Sequence, residues 1–270
     1  MMIRFHKMHS NGNDFVIIDC LTEEHKLYKS QIIKMADRKR GIGFDQLLCI
    51  LPPKKNSNNF HIKVWNADGS KADMCLNGLR CVASYIWDQE LSRRNAPLCL
   101  EIKKQIINAT KSNKGVLLEC SLPKEIKLNK ITVKTIKKHY NGQHSDPKVY
   151  DIGNMHLLIR VQPNPPIEML YSRDWSNLIK GVRKIPGLSN VNISLTKVVV
   201  KGKNNEVYVR TFEKGAGETL SCGSAAACIG LEFNKAKIIS KGGTIFTKKN
   251  DKMSLMGPTE NSFTGVWERS

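Results

Sequence analysis

No stretch of the 270-residue sequence approaches the roughly 18 consecutive apolar residues a membrane helix needs. The first residues, Met1 to Phe15, lack the apolar run of a secretory signal, so a cytoplasmic protein is expected. No C-x-x-C pair occurs, which argues against a zinc ribbon or a thioredoxin-type redox motif. The eight cysteines (Cys20, Cys49, Cys75, Cys81, Cys99, Cys120, Cys222 and Cys228) are therefore expected to be thiols rather than a disulfide framework. Acidic residues are scarce, with 24 Asp and Glu against 43 Lys and Arg, a formal charge of +19. Such a balance invites a nucleic-acid partner. The lysines, however, are spread in short pairs such as Lys103-Lys104, Lys137-Lys138 and Lys248-Lys249, with no nucleic-acid module beside them. They read as a solvated basic surface, and neither nucleic acid nor membrane is expected as a partner.

What is present is globular in composition, 40% hydrophobic and 25% charged, and long enough for one large domain or two ordinary ones. Compact or alternating apolar runs predict strands at Phe15–Ile18, Leu47–Ile50, Phe60–Trp65, Gly115–Leu118, Leu157–Val161, Val198–Val200 and Val207–Phe212. Two segments predict helices, beginning near Asn77 and near Gly223. The second, Gly223 to Leu231, is apolar almost all round, which predicts a buried helix. Between the halves, Lys124 to Pro147 is lysine-rich, carries Asn141-Gly142, and reads as a surface strand and loop.

The two halves echo one another. Gly12-Asn13 precedes one strand-like segment and Gly153-Asn154 another. A glycine-containing turn follows in each, Asn66 to Ser70 and Gly215 to Thr219. After each turn a cysteine opens a helix, Cys75 and Cys222, with a second cysteine six residues on, Cys81 and Cys228. Features in the same order twice over imply a duplication.

A thiol at a helix start sits at the positive end of the helix dipole among unpaired N–H groups, which favours thiolate. The same N–H groups suit a carboxylate. Two such helix starts acting on one α-carbon, one sulfur on each face, fit a stereoinversion: one thiolate removes the α-proton and the opposite thiol supplies another. A lone cysteine before a helix is more often a small filler, but two at matched positions reverse that balance. Cys81 and Cys228 fall inside the helices and are expected to be packed; Cys20, Cys49, Cys99 and Cys120, in or beside strands, are expected to be inert.

These residues resemble the diaminopimelate epimerase family over almost the whole chain. The motifs are Lys7 to Phe15 (KMHSNGNDF), Gly41 to Gln46 (GIGFDQ), Trp65 to Ser70 (WNADGS), Cys75 to Cys81 (CLNGLRC), Glu213 to Thr219 (EKGAGET) and Ser221 to Ser224 (SCGS). The resemblance implies that Cys75 and Cys222 are the acid–base pair, Cys75 donating and Cys222 accepting in the LL-to-meso direction. It implies carboxylate binding by the N–H groups of Leu76, Asn77, Gly223 and Ser224. Asn13, Gln46, Asn66, Asn154 and Asn192 match substrate-contacting positions, as do Glu213 and Lys214, while His156 and Glu213 match positions that tune the cysteines. Lys214 stands where the family has Arg, which keeps the charge and loses the bidentate fork. Leu76 replaces a glycine, Met155 a proline, and Ala225 a glycine.

The implied fold is α/β, with two pseudo-symmetric domains, each a mixed sheet curled around a central buried helix. The expected boundaries are 1–121 with a returning strand at 260–270, and 122–259. The expected function is epimerisation of LL-2,6-diaminopimelate to the meso isomer for lysine and peptidoglycan synthesis. No pyridoxal phosphate, other cofactor or metal is implied, the only partner is the small-molecule substrate, and a homodimer is possible. The alternative on the same scaffold is a racemase or epimerase of another amino acid.

Overall fold

The computed structural model describes every residue except 1, 23–24, 26, 94, 104, 141–144, 162–165, 202–203 and 269–270. Lys104 and Asn141-Gly142 lie outside the described residues. The chain forms two compact units, 1–120 with 256–270, and 121–255.

The first unit contains β1 (Met2–Ser10), β2 (Asn13–Asp19), α1 (Lys29–Ala36), β3 (Gln46–Leu51), β4 (Phe60–Asn66), α2 (Leu76–Asp88), β5 (Leu98–Ile102), β6 (Gln105–Ser112) and β7 (Gly115–Cys120). In the second lie β8 (Lys124–Ile126), α3 (Lys130–Tyr140), β9 (Lys148–Asp151), β10 (Met155–Arg160), α4 (Ile167–Ser172), α5 (Ser176–Arg183), β11 (Asn192–Lys201), β12 (Asn204–Glu213), β13 (Gly217–Thr219), α6 (Gly223–Gly230), β14 (Lys235–Ser240) and β15 (Gly243–Lys249). β16 (Met253–Gly257) spans the passage back to the first unit, and β17 (Glu260–Glu268) pairs antiparallel along β1 from Met2↔Glu268 to His9↔Glu260.

The pairing pattern repeats. In the first unit β1–β2 is antiparallel, β2–β3 parallel, β3–β4 antiparallel, β4–β5 parallel and β5–β6 antiparallel. In the second unit β9–β10, β10–β11, β11–β12, β12–β14 and β14–β15 run through the same alternation. Each parallel step needs a crossover connection. α1 supplies the first crossover of unit one and α2 the second; α4 and α5 supply the first of unit two and α6 the second.

α2 packs against β1, β2, β3, β6 and β7, strands drawn from both ends of the sheet, so the sheet curls around it. Its residues are buried except for Ser84 and Asp88, and every residue of α6 is buried. Strands lying between an inner and an outer layer bury both faces, which explains their compact apolar runs. Val16 and Ile18 join Leu47 and Cys49 beneath the outer helix residues Ile32 and Met35, whereas Leu48 meets α2 at Gly78.

The outer layer of the second unit corrects the expected surface strand and loop. Residues 130–140 form α3, whose Ile136 joins Leu170 of α4 and Leu178, Ile179 and Val182 of α5 in one core. Asn129 caps it, its Oδ1 accepting from Thr132 N (2.8 Å). Lys137, Lys138 and His139 lie in its last turn, where cations complement the dipole. The lysines mask a helix that buries only a narrow stripe. Among the described residues no helix is long and apolar enough to cross a membrane.

Candidate active site

In the first unit a hairpin turn delivers Cys75 to its helix. Trp65 bridges Lys71, Asn66 N donates to Ser70 O (2.8 Å), and Gly69 takes φ +74°, a conformation costly to a residue with a Cβ. Cys75 is then the N-cap of α2, and its Sγ accepts the N–H of Gly78 (3.2 Å). A bond donated to sulfur favours thiolate. Leu76 and Asn77 occupy the first two helical positions, where backbone N–H groups have no carbonyl one turn earlier. Leu76 is not among the residues with positive φ, so the absence of the family's glycine causes no backbone strain.

Around this helix start the expected contact residues form a hydrogen-bonded set. Asn77 Nδ2 donates to Asn13 Oδ1 (3.3 Å), and Asn13 Nδ2 donates to Asp45 Oδ2 (2.6 Å). Gln46 Nε2 donates to Asn66 Oδ1 (2.8 Å), and Asn66 Nδ2 to Ser70 Oγ (3.0 Å). Each amide is thereby held in one orientation. Behind Asn13, Asp14 takes Arg38 on both carboxylate oxygens (2.8 and 2.7 Å) and Lys7 on one (2.6 Å). Burial pushes the Asp14 carboxyl up, but Arg38 and Lys7 outweigh it and hold the pKa near 2. Burial and the charge of Asp14 raise that of Asp45.

The second unit repeats the plan with different side chains. Register equates Phe15, opposite Gln46, with His156, opposite Asn192. Asn13 and Asn154 each stand two residues earlier. The hairpin pairs Glu213 with Gly217, and both Gly215 and Gly217 take positive φ. Cys222 follows as N-cap of α6, with Gly223 and Ser224 in the first two helical positions, and its carbonyl accepts from Ala226 N (3.0 Å). Asn192 Oδ1 accepts the N–H of Lys214 (2.9 Å), and Glu213 Oε1 accepts from Thr219 Oγ1 (2.8 Å). The Lys214 side chain is exposed.

His156 is fully buried, and desolvation pulls its pKa down to about 3, so the ring is neutral at physiological pH. Nε2 lies 3.1 Å from Asn154 Oδ1. With that oxygen as acceptor the proton sits on Nε2, and Nδ1 keeps a buried lone pair with no hydrogen-bond partner.

The other cysteines divide as their positions suggest. Cys81 and Cys228 are fully buried, and burial drives the Cys81 thiol far up. Burial also lifts Cys120 to about 12. Cys20 is the exception among the strand cysteines: a hydrogen bond with Cys49 lowers its pKa. Sequence reasoning missed Ser10, Arg80, Asp14 and Asp45, which hold the expected residues in place. A signal was present for Arg80, a charged residue flanked by Leu79 and by Cys81, Val82 and Ala83 in the middle of the helix.

Each half is a mixed sheet wound about a buried helix headed by a cysteine, a duplicated α/β architecture found in other proteins of known structure. The fold is shared with a PhzF-family phenazine biosynthesis protein from Bacillus anthracis (TM-score 0.68, 14% identity, 100% of each chain covered). A hydroxyproline epimerase from Agrobacterium vitis shares it too (TM-score 0.66, 10% identity, 98% of this chain and 92% of that one). A sequence profile of diaminopimelate epimerase matches residues 5–114. A diaminopimelate epimerase of Psychrobacter sp. (strain PRwf-1) is 31% identical over 288 residues, 99% of this chain and 95% of its own length. One from Coxiella burnetii is 31% identical over 287 residues, covering 99% of both. The chain belongs to the diaminopimelate epimerase family, and it is an isomerase.

Proposed function

We propose that the chain interconverts LL- and meso-2,6-diaminopimelate without pyridoxal phosphate or metal, Cys75 and Cys222 serving as the two acid–base groups. The observation that carries this reading is that both cysteines cap the buried helix at the same step of a repeated strand order. In the LL-to-meso direction the Cys222 thiolate takes the α-proton and the Cys75 thiol returns one to the other face. The N–H groups of Leu76, Asn77, Gly223 and Ser224 bind the adjacent carboxylate and stabilise the charge that develops on it. The ordered amides of Asn13, Gln46, Asn66, Asn154 and Asn192 donate to carboxylate and accept from ammonium groups, which suits a zwitterion. The lone pair on His156 Nδ1 is an acceptor suited to a thiol proton, and Glu213 is the second tuning group. Lys214 supplies a point charge for the distal carboxylate. The reaction is placed in the cytoplasm, in lysine and peptidoglycan precursor synthesis, with a homodimer as the assembly and no nucleic-acid or membrane partner.

Lys214 favours one alternative, a racemase of an amino acid that lacks the distal carboxylate, since the guanidinium fork of the family is gone. A steady-state assay with LL-diaminopimelate against a panel of monocarboxylic amino acids separates the two. Turnover of diaminopimelate alone is expected; turnover of the panel with diaminopimelate ignored overturns the assignment.

A further inference from the structure

Arg80 is the largest fully buried side chain among the described residues, at 0% exposure. Its Nη2 donates to Ser10 Oγ (2.9 Å) and to Asn77 Oδ1 (2.7 Å), and its Nε donates to Ser10 Oγ (3.2 Å). Ser10 Oγ in turn donates to Pro258 O (2.7 Å). The guanidinium also lies against Gly257, where an added Cβ would stand 3.4 Å from Cζ. Nη1 is buried without a hydrogen-bond partner. Every partner is neutral, and among the described residues no carboxylate reaches Arg80. A buried cation in that state is costly unless a negative charge forms nearby. Burial lowers its pKa only to about 10, so it stays cationic at neutral pH.

Two groups that can become anionic lie within its electrostatic reach, Cys75 and Cys81. Cys81 is excluded, because burial pushes its thiol up too far to ionise. Cys75 heads the helix and already accepts the N–H of Gly78. At the equivalent position of the second half, counted from its cysteine, stands Ala227, and the buried His156 stands where the first half has Phe15.

We propose that Arg80 is a positioning residue that serves as the buried counter-charge of the Cys75 thiolate while holding the amides of Asn77 and Asn13 in register. The assignment rests on the function proposed above, in which Cys75 is the base in the meso-to-LL direction and the acid in the reverse. The other titratable groups on α2 and the strands packed against it are Cys81, Tyr85 and Asp88; Arg4, His6, Lys7 and His9 of β1; Asp14 and Asp19 of β2; Cys49 of β3; Lys111 of β6; and Glu119 and Cys120 of β7. None of them bonds to Arg80. Lys7 pairs with Asp14, and His6 lies edge-on to Tyr85 (4.8 Å).

The test compares Arg80→Gln, which keeps donors and removes the charge, with Arg80→Lys, which keeps the charge. The pH dependence of Cys75 alkylation, read by peptide mass spectrometry without substrate, should move up by about one pH unit or more in R80Q and stay near wild type in R80K. The acidic limb of kcat/KM should move up with it in the meso-to-LL direction, and the basic limb in the LL-to-meso direction. An unmoved alkylation profile in R80Q overturns the proposal and leaves Arg80 a packing residue. If R80Q does not fold, Cys75→Ser replaces it. A thiol pKa held down in the folded state contributes stability that is present above the unfolded thiol pKa, about 8.5, and is lost as pH falls through the folded value. The wild-type melting temperature should therefore gain on Cys75→Ser as pH rises through that window, and parallel curves overturn the pair. Alkylation needs no substrate, so failure to turn over diaminopimelate would sink the proposed function and leave this result standing.

Discussion

At the scale of single residues, the first helix start depends on a missing side chain. A Cβ at Gly78 would stand 3.0 Å from Cys75 Sγ and 2.9 Å from Leu48 Cδ2. Alanine raises helix propensity by about 1 kcal/mol, but overpacking a filled core costs about 1–3 kcal/mol. Gly78→Ala should therefore lower stability by about 1 kcal/mol while moving the sulfur, and kcat should fall about tenfold or more, because displacement of about 1 Å is expensive in catalysis. Thermal melts with steady-state kinetics check it: an unchanged kcat would show that the sulfur tolerates the shift. Residues of this kind were legible in the sequence only as members of motifs. CLNGLRC marks Cys75 as a helix start, but nothing in the spacing shows that Gly78 must be small, or that Arg80 turns inward to Ser10, a contact made across 70 residues of chain.

Among the elements, legibility followed burial pattern. Strands buried on both faces have compact apolar runs and were read directly, as was α6, apolar on every side. α1, α4 and α5 bury one stripe and were not singled out. α3 was taken for a strand and loop because lysines outnumber the residues that face its core. The conversion of a shared strand position from Phe15 to His156 was visible in neither half alone, since it emerges only when the β2–β3 and β10–β11 registers are matched. It has a measurable consequence. His156 has a pKa near 3 folded and an ordinary value of 6.5, so between those limits the unfolded chain binds a proton that the folded chain refuses. This residue therefore makes stability fall as pH drops from 6.5 toward 3, and its effect levels off below. His156→Phe, copying its counterpart, should remove that contribution, so that the variant's melting temperature gains on wild type between pH 7 and pH 4. Melting curves that fall in parallel would show that the ring is not buried neutral.

For the molecule as a whole, the duplication was readable as an ordered set of paired signals, and the strand pairing explains why they recur: each cysteine follows the hairpin that closes the same antiparallel step. The charge of +19 played no part in locating either half-site; the half-sites were found from their amides and thiols. On the proposed function the duplication divides the labour, one thiol from each half for one proton each way. The most direct measurement is incubation of LL-diaminopimelate in D₂O with the wild-type chain and with Cys75→Ala and Cys222→Ala. Wild type should form the meso isomer carrying deuterium at the inverted α-carbon, and each variant should lose epimerisation by several orders of magnitude. Epimerisation retained in either variant would contradict the two-thiol reaction.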